Sequence, residues 1–516
     1  MALSTPDAYN PFATSINSDA VIDSVTFNAV RATKSTLALW DFKASGPDLF
    51  SIPAGDIGLA TGVEVRRETQ LDDRDPRVDG TITWNSLSGV AYPGDMFGVS
   101  PTPDTYGKRT VSGIYAELYL PLVSPDWNIP FVRRLDMQIA GRAEHYSDFG
   151  NVSKPKIAIG WDLLDGLSIR GSWSKAFRAP NLEQMNAAMI VRTNGRIDPL
   201  LCEADVRNGS LANFAACAIN YGISGNRMGN PDLKPETSDN ISGGIVFEPK
   251  FLPEWFGKLR MSVDYFKYEQ EGIIGMYGDT NHLALDYLLR VQGSSNPAVV
   301  RAAPNPDDIA RFAGTGLAPV GEVLYLEKQF VNLLPQRVRG VDFAVDWQSQ
   351  ETAFGTFSLG VNGTRLIEFY REVSPDVQVL VDARNAGTIN AATTIVGGGD
   401  LLMINGKPKW KWTGIATWSM GNVQTGLTAR YTGNYYENFL RDSIGYYEPG
   451  SSTYWNGHVK YSFDNGDGWL SGTSIKLGVN NIEGRRPPIS SDTRGYLPLL
   501  YTGTPRYWYI NVTKEF

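Results

Sequence analysis

Apolar residues recur at every second position through most of this chain, in stretches longer than soluble sheets use. At 167–174, Leu167, Ile169 and Trp173 alternate with Ser168, Arg170, Ser172 and Ser174. At 356–362, Phe357, Leu359 and Val361 alternate with Thr356, Ser358 and Asn362. At 474–480, Ile475, Leu477 and Val479 alternate with Ser474, Lys476 and Asn480, and at 135–146 Leu135, Met137, Ile139 and Ala143 alternate with Asp136, Gln138, Arg142 and Glu144. The same pattern returns at 114–120, 156–163, 259–265, 338–347 and 427–432. Period two means an extended strand with one apolar and one polar face. These strands run about 10–14 residues, against about 5–6 in soluble sheets. A tilted strand crossing a bilayer needs about 9–11.

Connection lengths narrow the choice. Asp165-Gly166 reads as a tight hairpin turn. A very long connection follows to about Pro235, then a shorter one near 248–258, then a long one from about 270 to 336. Short links near 348–355, at Gly421-Asn422 and near 464–471 alternate with long ones near 369–406, 434–451 and 483–504. Long loops kept to one end and short turns to the other describe an outer-membrane barrel. About 15 strands are expected, near 36–45, 57–70, 109–121, 134–146, 153–163, 166–175, 236–248, 258–270, 337–348, 355–368, 407–419, 423–433, 452–463, 472–482 and 505–516. Asp19–Lys34 fits a short helix as well as a strand, and 296–313 suits a loop helix.

The fold class is therefore all-β: a transmembrane antiparallel β-barrel with long extracellular loops over 36–516, preceded by a loop or short helix at 1–35. An odd strand count places the chain ends on opposite sides. A complete bacterial barrel begins and ends in the periplasm with an even count, so a barrel without its first strands is expected. Met1-Ala-Leu-Ser-Thr-Pro lacks the basic and apolar regions of a secretory leader, so the chain is either cytosolic or a fragment or processed product, and the strand count favours the fragment.

Composition excludes other classes. The net charge of −8 argues against nucleic-acid binding. No apolar run is long enough for a membrane helix. With 13 Trp, 24 Tyr and 22 Phe the chain is not disordered. Three histidines leave little for a metal or acid–base enzyme. There is no phosphate loop, no HExxH and no Cys/His cluster of metal spacing, so no catalytic residue, metal or cofactor is expected. Asp72-Asp73 and Asp307-Asp308 read as surface carboxylates. His145 shares the lipid-facing register of Ile139 and Ala143, which argues against catalysis. Cys202 and Cys217 lie in one polar segment at a spacing that suits a local disulfide in an oxidising compartment, with two free thiols as the alternative.

The C-terminus fits a closing barrel strand: Trp508, Ile510, Val512 and Phe516 share one face, interrupted by Lys514. Tyr507, Trp508 and Tyr509, with Trp412 and Trp418, are candidates for interfacial girdles, or are ordinary strand aromatics.

Several motifs now stand in a familiar order: Tyr146-Ser-Asp-Phe-Gly150, Pro155-Lys156, Arg170-Gly-Ser-Trp-Ser-Lys-Ala-Phe-Arg-Ala-Pro-Asn-Leu182, Asn230-Pro-Asp-Leu-Lys-Pro-Glu236, Val338-Arg-Gly-Val-Asp342, Gly478-Val-Asn-Asn-Ile482 with Pro487-Pro488, and the terminal Phe516. In order and spacing over roughly 36–516 the chain resembles the C-terminal part of the barrel of TonB-dependent outer-membrane receptors. The resemblance implies a barrel of about 22 strands whose lumen holds an N-terminal plug domain, of which about seven strands and the plug are missing here. It implies import of a scarce solute such as a siderophore, cobalamin, a saccharide or a peptide. The implied partners are outer-membrane lipids, the plug and the TonB energy-transducing complex through the full-length protein, the solute, and the barrel assembly machinery at the C-terminal strand.

Residue roles follow. Asp148 and Gly150 suit a tight outer turn. Arg178, Pro180 and Asn181 enter the longest loop, and Arg142, Glu144 and Arg170 should face the lumen, as solvated wall pairs or plug contacts. At 433–449, Tyr435, Tyr436, Tyr446 and Tyr447 flank Arg441. Aromatic faces stack on sugars or flat ligands and Arg grips carboxylates or phosphates, so this loop is a candidate binding surface; a hairpin held by Tyr pairs is the alternative. Arg192, Arg196, Arg207 and Arg227 in the loop 183–235 either attract anions or are simply solvated. The competing functions are a passive porin-like channel, a non-transporting barrel remnant, a membrane hydrolase and a soluble adhesin.

Overall fold

Fifteen long strands pair strictly in chain order into one antiparallel sheet. They are β1 (Arg31–Ile52), β2 (Gly55–Arg74), β3 (Thr105–Val123), β4 (Arg134–Tyr146), β5 (Gly150–Leu164), β6 (Leu167–Arg178), β7 (Glu236–Phe247), β8 (Lys258–Glu271), β9 (Gln336–Gln348), β10 (Thr356–Arg371), β11 (Trp410–Met420), β12 (Val423–Thr432), β13 (Ser452–Phe463), β14 (Thr473–Asn480) and β15 (Tyr507–Lys514). The two-residue strand Gly399–Asp400 adds to the outer end of β10. Among the described residues β1 and β15 do not pair with each other. The structure, a computed structural model, describes residues 9–10 and 17–515 except 87–88, 90, 93, 97–98, 218, 334, 443–444, 464–467 and 493; Phe516 lies outside them.

Rungs across the sheet show how the alternation is used. Directly opposed residues share a face. One rung runs Leu135, Trp161, Ile169, Ile245, Val263, Phe343, Gly363, Trp412 and Tyr431. The adjacent rung on the opposite face runs Arg170, Gly244, Asp264, Asp342, Thr364, Lys411, Thr432 and Ser452. The first face is nearly all apolar and stays partly exposed, as a wall meeting hydrocarbon requires; the second is ionic and hydroxylated, as a lumen requires. Trp412 stacks on Tyr431 with ring centroids 5.4 Å apart near the outer end of the wall. Trp418 donates to the Phe354 carbonyl at 2.6 Å near the inner end.

The first hairpin is longer than the pattern suggests. Gly46-Pro47-Asp48 reads as a break, but a register shift between Gly46 and Phe50 absorbs these residues. The ladder then continues to a turn at Pro53-Ala54. Asp19–Lys34 resolves into helix α1 (Asp19–Val25), capped by the Ser18 side chain, and the start of β1. At the inner end Gly166 turns β5 into β6 at a φ of +83°, a value that glycine adopts without strain. At the outer end one connection is tight, the turn 147–149 between β4 and β5, while the long ones after β6, β8 and β10 carry helices of their own.

The hydrophobic core is not in the wall. It sits in the outer loops, built on α3 (Pro199–Arg207), α4 (Asp279–Val291), α5 (Pro306–Phe312) and α6 (Pro375–Asn385), while the short α2 (Leu182–Asn186) packs on the wall. Leu200, Leu201, Ala284, Tyr287, Leu288, Phe312, Leu380 and Ile389 form its centre, all buried. A four-stranded sheet of Val299–Arg301, Val323–Gln329, Asn220–Met228 and Ile190–Ile197 lies beside it. The middle two strands run parallel. Ile223, Leu283, Val299, Val323 and Leu326 form a second cluster under it. Each fully buried Leu or Ile contributes about 2 kcal/mol, so three loops far apart in sequence stand as one folded crown.

Candidate functional site

Three of the motifs that carried the family resemblance, 146–150, 170–182 and 230–236, lie along the outer part of the lumen wall. Tyr146 is buried, stacked on Phe149 at 4.4 Å and edge-on to Phe177 at 6.1 Å. Its hydroxyl donates to Glu144 Oε2 at 2.6 Å and accepts from Arg66 Nη2 at 2.9 Å. Arg66 also donates to Glu64 and Glu68, at 2.5 and 2.8 Å. Arg109 donates to Glu68 at 2.6 Å and to the Pro180 carbonyl at 2.7 Å. Arg142 pairs with Glu144 and reaches Glu64 at 3.2 Å. Arg170 grips Asp264 with two bonds of 2.7 Å. Arg142, Glu144 and Arg170 thus pair along the wall itself. His145 stands exposed on the opposite face, 2.8 Å from Asn151 Oδ1.

The wall also anchors the crown. Asn181 and Gln184 form a capping box at the start of α2, which packs against Gly107 of β3. Glu236 at the start of β7 accepts from Arg178 and from the Ile274 backbone N–H. Asn230 donates to the Phe330 carbonyl at 2.8 Å, and the Lys234 backbone N–H donates to Asn332 at 3.0 Å. The segment 230–236 is therefore a clamp between two outer loops.

Inside the crown the polar groups are paired. Arg301 bridges Asp198 and Asp286, all three nearly inaccessible. Burial pulls the Arg301 pKa down, and the two carboxylates more than offset it and raise it. Burial likewise pushes Asp279 up, but Lys328 and Arg196 hold it below its usual range. His282 is driven down to about 4 by burial and by the charge of Lys328. Cys202 and Cys217 are disulfide-bonded, with Cα atoms 5.7 Å apart. Of the loop arginines, Arg196 pairs with Asp279 and Arg207 with Glu203, Arg192 donates to Thr102, and the Arg227 Nε is buried without a partner.

Two readings of carboxylates need correction. Asp308 is buried, not on the surface, because it completes the capping box of α5 with Asn305. Asp72 faces the lumen between Arg31 and Arg74, at 2.6 and 2.7 Å.

The aromatic loop is only partly as expected. Tyr435 is fully buried rather than open to a ligand, because it lies against Glu437 and against Ser490 and Tyr501 of the last outer loop. Burial pushes its hydroxyl up to about 12. The Tyr436 backbone N–H donates to the Met403 carbonyl at 2.6 Å, and its carbonyl accepts from Asn405 at 2.7 Å. Tyr447 pairs with Glu437 along the backbone, and Arg441 with Tyr446. Of the candidates, the structure brings Tyr435 and Tyr436 against neighbouring loops and places Tyr447 in the hairpin.

Two lumen-facing cations were not among the expected site residues: Lys411 and Arg430. They line an open cavity of about 260 Å³ with Asn362, Thr364, Thr413 and Thr432, and with Leu499 and Leu500 of the last loop. Their positions follow the alternation, but no local motif marks them.

An antiparallel wall, apolar outside and ionic inside, under a folded crown of outer loops, defines a transmembrane β-barrel with a structured outer mouth. Residues 4–482 match the family described as TonB dependent receptor-like, beta-barrel, and the chain belongs to that family. Among curated proteins it is 28% identical over 146 residues to the probable TonB-dependent siderophore receptor PirA of Acinetobacter baumannii, covering 28% of this chain and 17% of that protein. It is 27% identical over 164 residues to the ferrienterobactin receptor of Escherichia coli, covering 32% and 18% of the two chains. The crystal structure of the A. baumannii PirA superposes with a TM-score of 0.56 at 16% identity, over 93% of this chain and 55% of that one. The ferric enterobactin receptor PfeA of Pseudomonas aeruginosa superposes at 0.55 with 14% identity, over 94% and 54%. At these identities the superpositions speak for the fold alone. The chain spans little more than half of the receptors it superposes on.

Proposed function

We propose that this chain is the C-terminal barrel wall and outer mouth of a TonB-dependent receptor in the outer membrane of a Gram-negative bacterium. The full-length protein would import a scarce solute, in the range from siderophores and vitamins to saccharides and peptides. The plug domain and the TonB complex would supply gating and energy through that parent protein, and the C-terminal strand would meet the barrel assembly machinery. The observation that carries this reading is the wall itself, whose outward rung is apolar and whose inward rung is ionic, closed at the outer end by a folded crown. The long loops suit capture of a solute better than free diffusion through an open pore.

The test is uptake in the native host. Cells with and without the gene are given labelled iron chelates, cobalamin and oligosaccharides, with and without a proton uncoupler. Loss of uptake of one solute on deletion, together with its abolition by the uncoupler, supports a TonB-dependent receptor. Gene-dependent flux that survives the uncoupler points instead to a passive channel. Unchanged uptake of every solute points to a non-transporting barrel.

A further inference from the structure

On the outward face of the wall the cations are distributed unevenly. Along β6 to β9 each stands beside an acid: Lys175 beside Asp239, Lys267 beside Glu269, and Arg337 and Arg339 beside Glu368. Arg365 of β10 lies over the Trp410 ring, 5.3 Å from its centroid, and Lys514 of β15 donates to the Trp469 and Ser471 carbonyls. Lys34 of β1, Arg67 of β2 and Lys108 of β3 differ. All three are exposed on that face, and among the described residues none has a carboxylate within ion-pair reach. The ladders gather them around one residue. Thr69 lies directly opposite Thr36 on one side and Lys108 on the other. Arg67 precedes it by two positions, and Lys34, opposite Leu71, is its diagonal neighbour. Opposed residues stand roughly 4.5–5.5 Å apart and diagonal ones roughly 7–8 Å. The Thr36 and Thr69 hydroxyls hydrogen-bond to each other in the middle. Asp73 shares the face, four positions beyond Thr69 toward water, and pairs with none of the three. Three adjacent like charges repel, and an anion among them offsets that.

The height of this patch follows from the alternation. The outward residues of β2 before Arg67 are Ile57, Leu59, Thr61, Val63 and Val65. A tilted strand crosses the hydrocarbon in about 9–11 residues, and 57–65 supplies that length. Arg67 and its neighbours therefore stand at the outer headgroup level. Directly below them the outward face carries an open groove of about 540 Å³. It forms where Ser112, Ala143 and Ser153 are short beside Val63, Val65 and Ile114. A free anion would use the cations alone. A molecule with an anionic head and an apolar tail uses the cations and the groove together.

We propose that this patch is a lipid site: Lys34, Arg67 and Lys108 hold the anionic phosphate of an outer-leaflet lipid over the Thr36–Thr69 hydroxyls, and an acyl chain of the same molecule lies in the groove below. Lys and Arg make charge-assisted bonds to phosphate oxygens, and their long apolar stems carry the charge from the edge of the hydrocarbon into the headgroup layer. The inference rests on the placement of the wall in the outer membrane and is independent of which solute is taken up.

The full chain in dodecyl maltoside micelles is titrated with dioleoyl phosphatidic acid, dioleoyl phosphatidylcholine and inorganic phosphate, and the lipids retained are counted by native mass spectrometry. One phosphatidic acid is expected to bind, roughly tenfold or more tightly than phosphatidylcholine. K34Q/R67Q/K108Q should weaken it by a similar factor, as loss of charged hydrogen bonds implies, while K175Q, which alters a cation already beside an acid, leaves it unchanged. S112L/S153L fills the groove and keeps every charge, and should weaken phosphatidic acid severalfold. Equal binding of the two lipids, or phosphatidic acid bound unchanged by K34Q/R67Q/K108Q or by S112L/S153L, would each overturn the site. Displacement of phosphatidic acid by an equal concentration of inorganic phosphate would overturn it too, by showing a site for free anions. Heat-modifiable gel migration checks the fold of each variant. If K34Q/R67Q/K108Q fails to fold, K108Q alone decides: a severalfold loss supports the site and no loss overturns it. Vesicles of chain-brominated phosphatidylcholine test the membrane placement separately. Tryptophan fluorescence that bromine does not quench overturns that placement, whereas quenching without a preference for phosphatidic acid overturns the lipid site alone.

Discussion

Arg301 holds Asp198 across 103 positions of sequence, donating to Oδ2 at 2.7 Å and to Oδ1 at 3.1 Å. The same guanidinium reaches Asp286 at 2.8 Å, and Tyr221 donates to Asp198 from the other side at 2.9 Å. One cation therefore joins two outer loops at the heart of the crown. In Arg301→Met, buried Asp198 loses its cation and Asp286 keeps only Arg290, a change that costs about 3–5 kcal/mol. The crown should open to protease while the wall stays intact. Limited trypsin digestion followed by heat-modifiable migration of the remaining barrel separates the two. An uncut crown at wild-type rates would contradict this.

Reduction of the Cys202–Cys217 bond should act on the same body. A cross-link closing a loop of about 15 residues stabilises by about 3 kcal/mol. Cys202→Ala/Cys217→Ala should therefore raise amide exchange across α3 and the strand Asn220–Met228. Exchange in β4–β6 should not change.

The crown should weaken with mild acid. His282 sits against Tyr277 and Asn296, with Lys328, Asp279 and Asp376 as the charges that act on it. Its folded pKa of about 4 lies below the unfolded value. The unfolded state thus binds the proton first as pH falls. Stability is full above about pH 6.5 and declines toward pH 4, by up to about 1.4 kcal/mol per pH unit. Asp279, whose pKa is lowered, adds a loss at still lower pH. Crown proteolysis measured from neutral pH to pH 4.5 should accelerate, and His282→Gln should flatten the curve over that range.

In the wall, Tyr115 lies over Gly62, where an added Cβ would meet its Cε1 at 2.6 Å. Gly62→Val should block the β2–β3 pairing and lower the yield of folded barrel. Tyr115→Ala in the same chain should restore part of it. A yield unaffected by Gly62→Val would show that the ring swings aside freely.

The wall was legible because period two is written in each strand separately. The fifteen strands follow the alternation closely, and only the first hairpin, where Gly46-Pro47-Asp48 imitates a break, is longer than its pattern. The crown was not legible, because its contacts join residues such as Asp198 and Arg301 that no local pattern connects. Helix α4 left a trace in Leu283, Tyr287 and Leu288, which recur at helical spacing inside a segment read only as a loop. Lys411 and Arg430 were hidden differently. Each is an ordinary polar position on its own strand, and their want of a carboxylate shows only once β10 to β13 are laid side by side. Tyr435 misled because an aromatic in an outer loop looks like a contact surface until the loop above it is in place.

The opposite placement of apolar groups in wall and crown means that this chain answers to two solvents. The crown hides Leu and Ile from water, and the wall presents them to hydrocarbon. A stabilising salt such as sulfate, excluded from protein surface in contact with water, should therefore firm the crown and scarcely touch the wall. Exchanging one detergent for another of different chain length should do the reverse. Heated slowly, the protein should lose its outer end first and keep its cylinder wall, an empty frame whose capture surface has already gone.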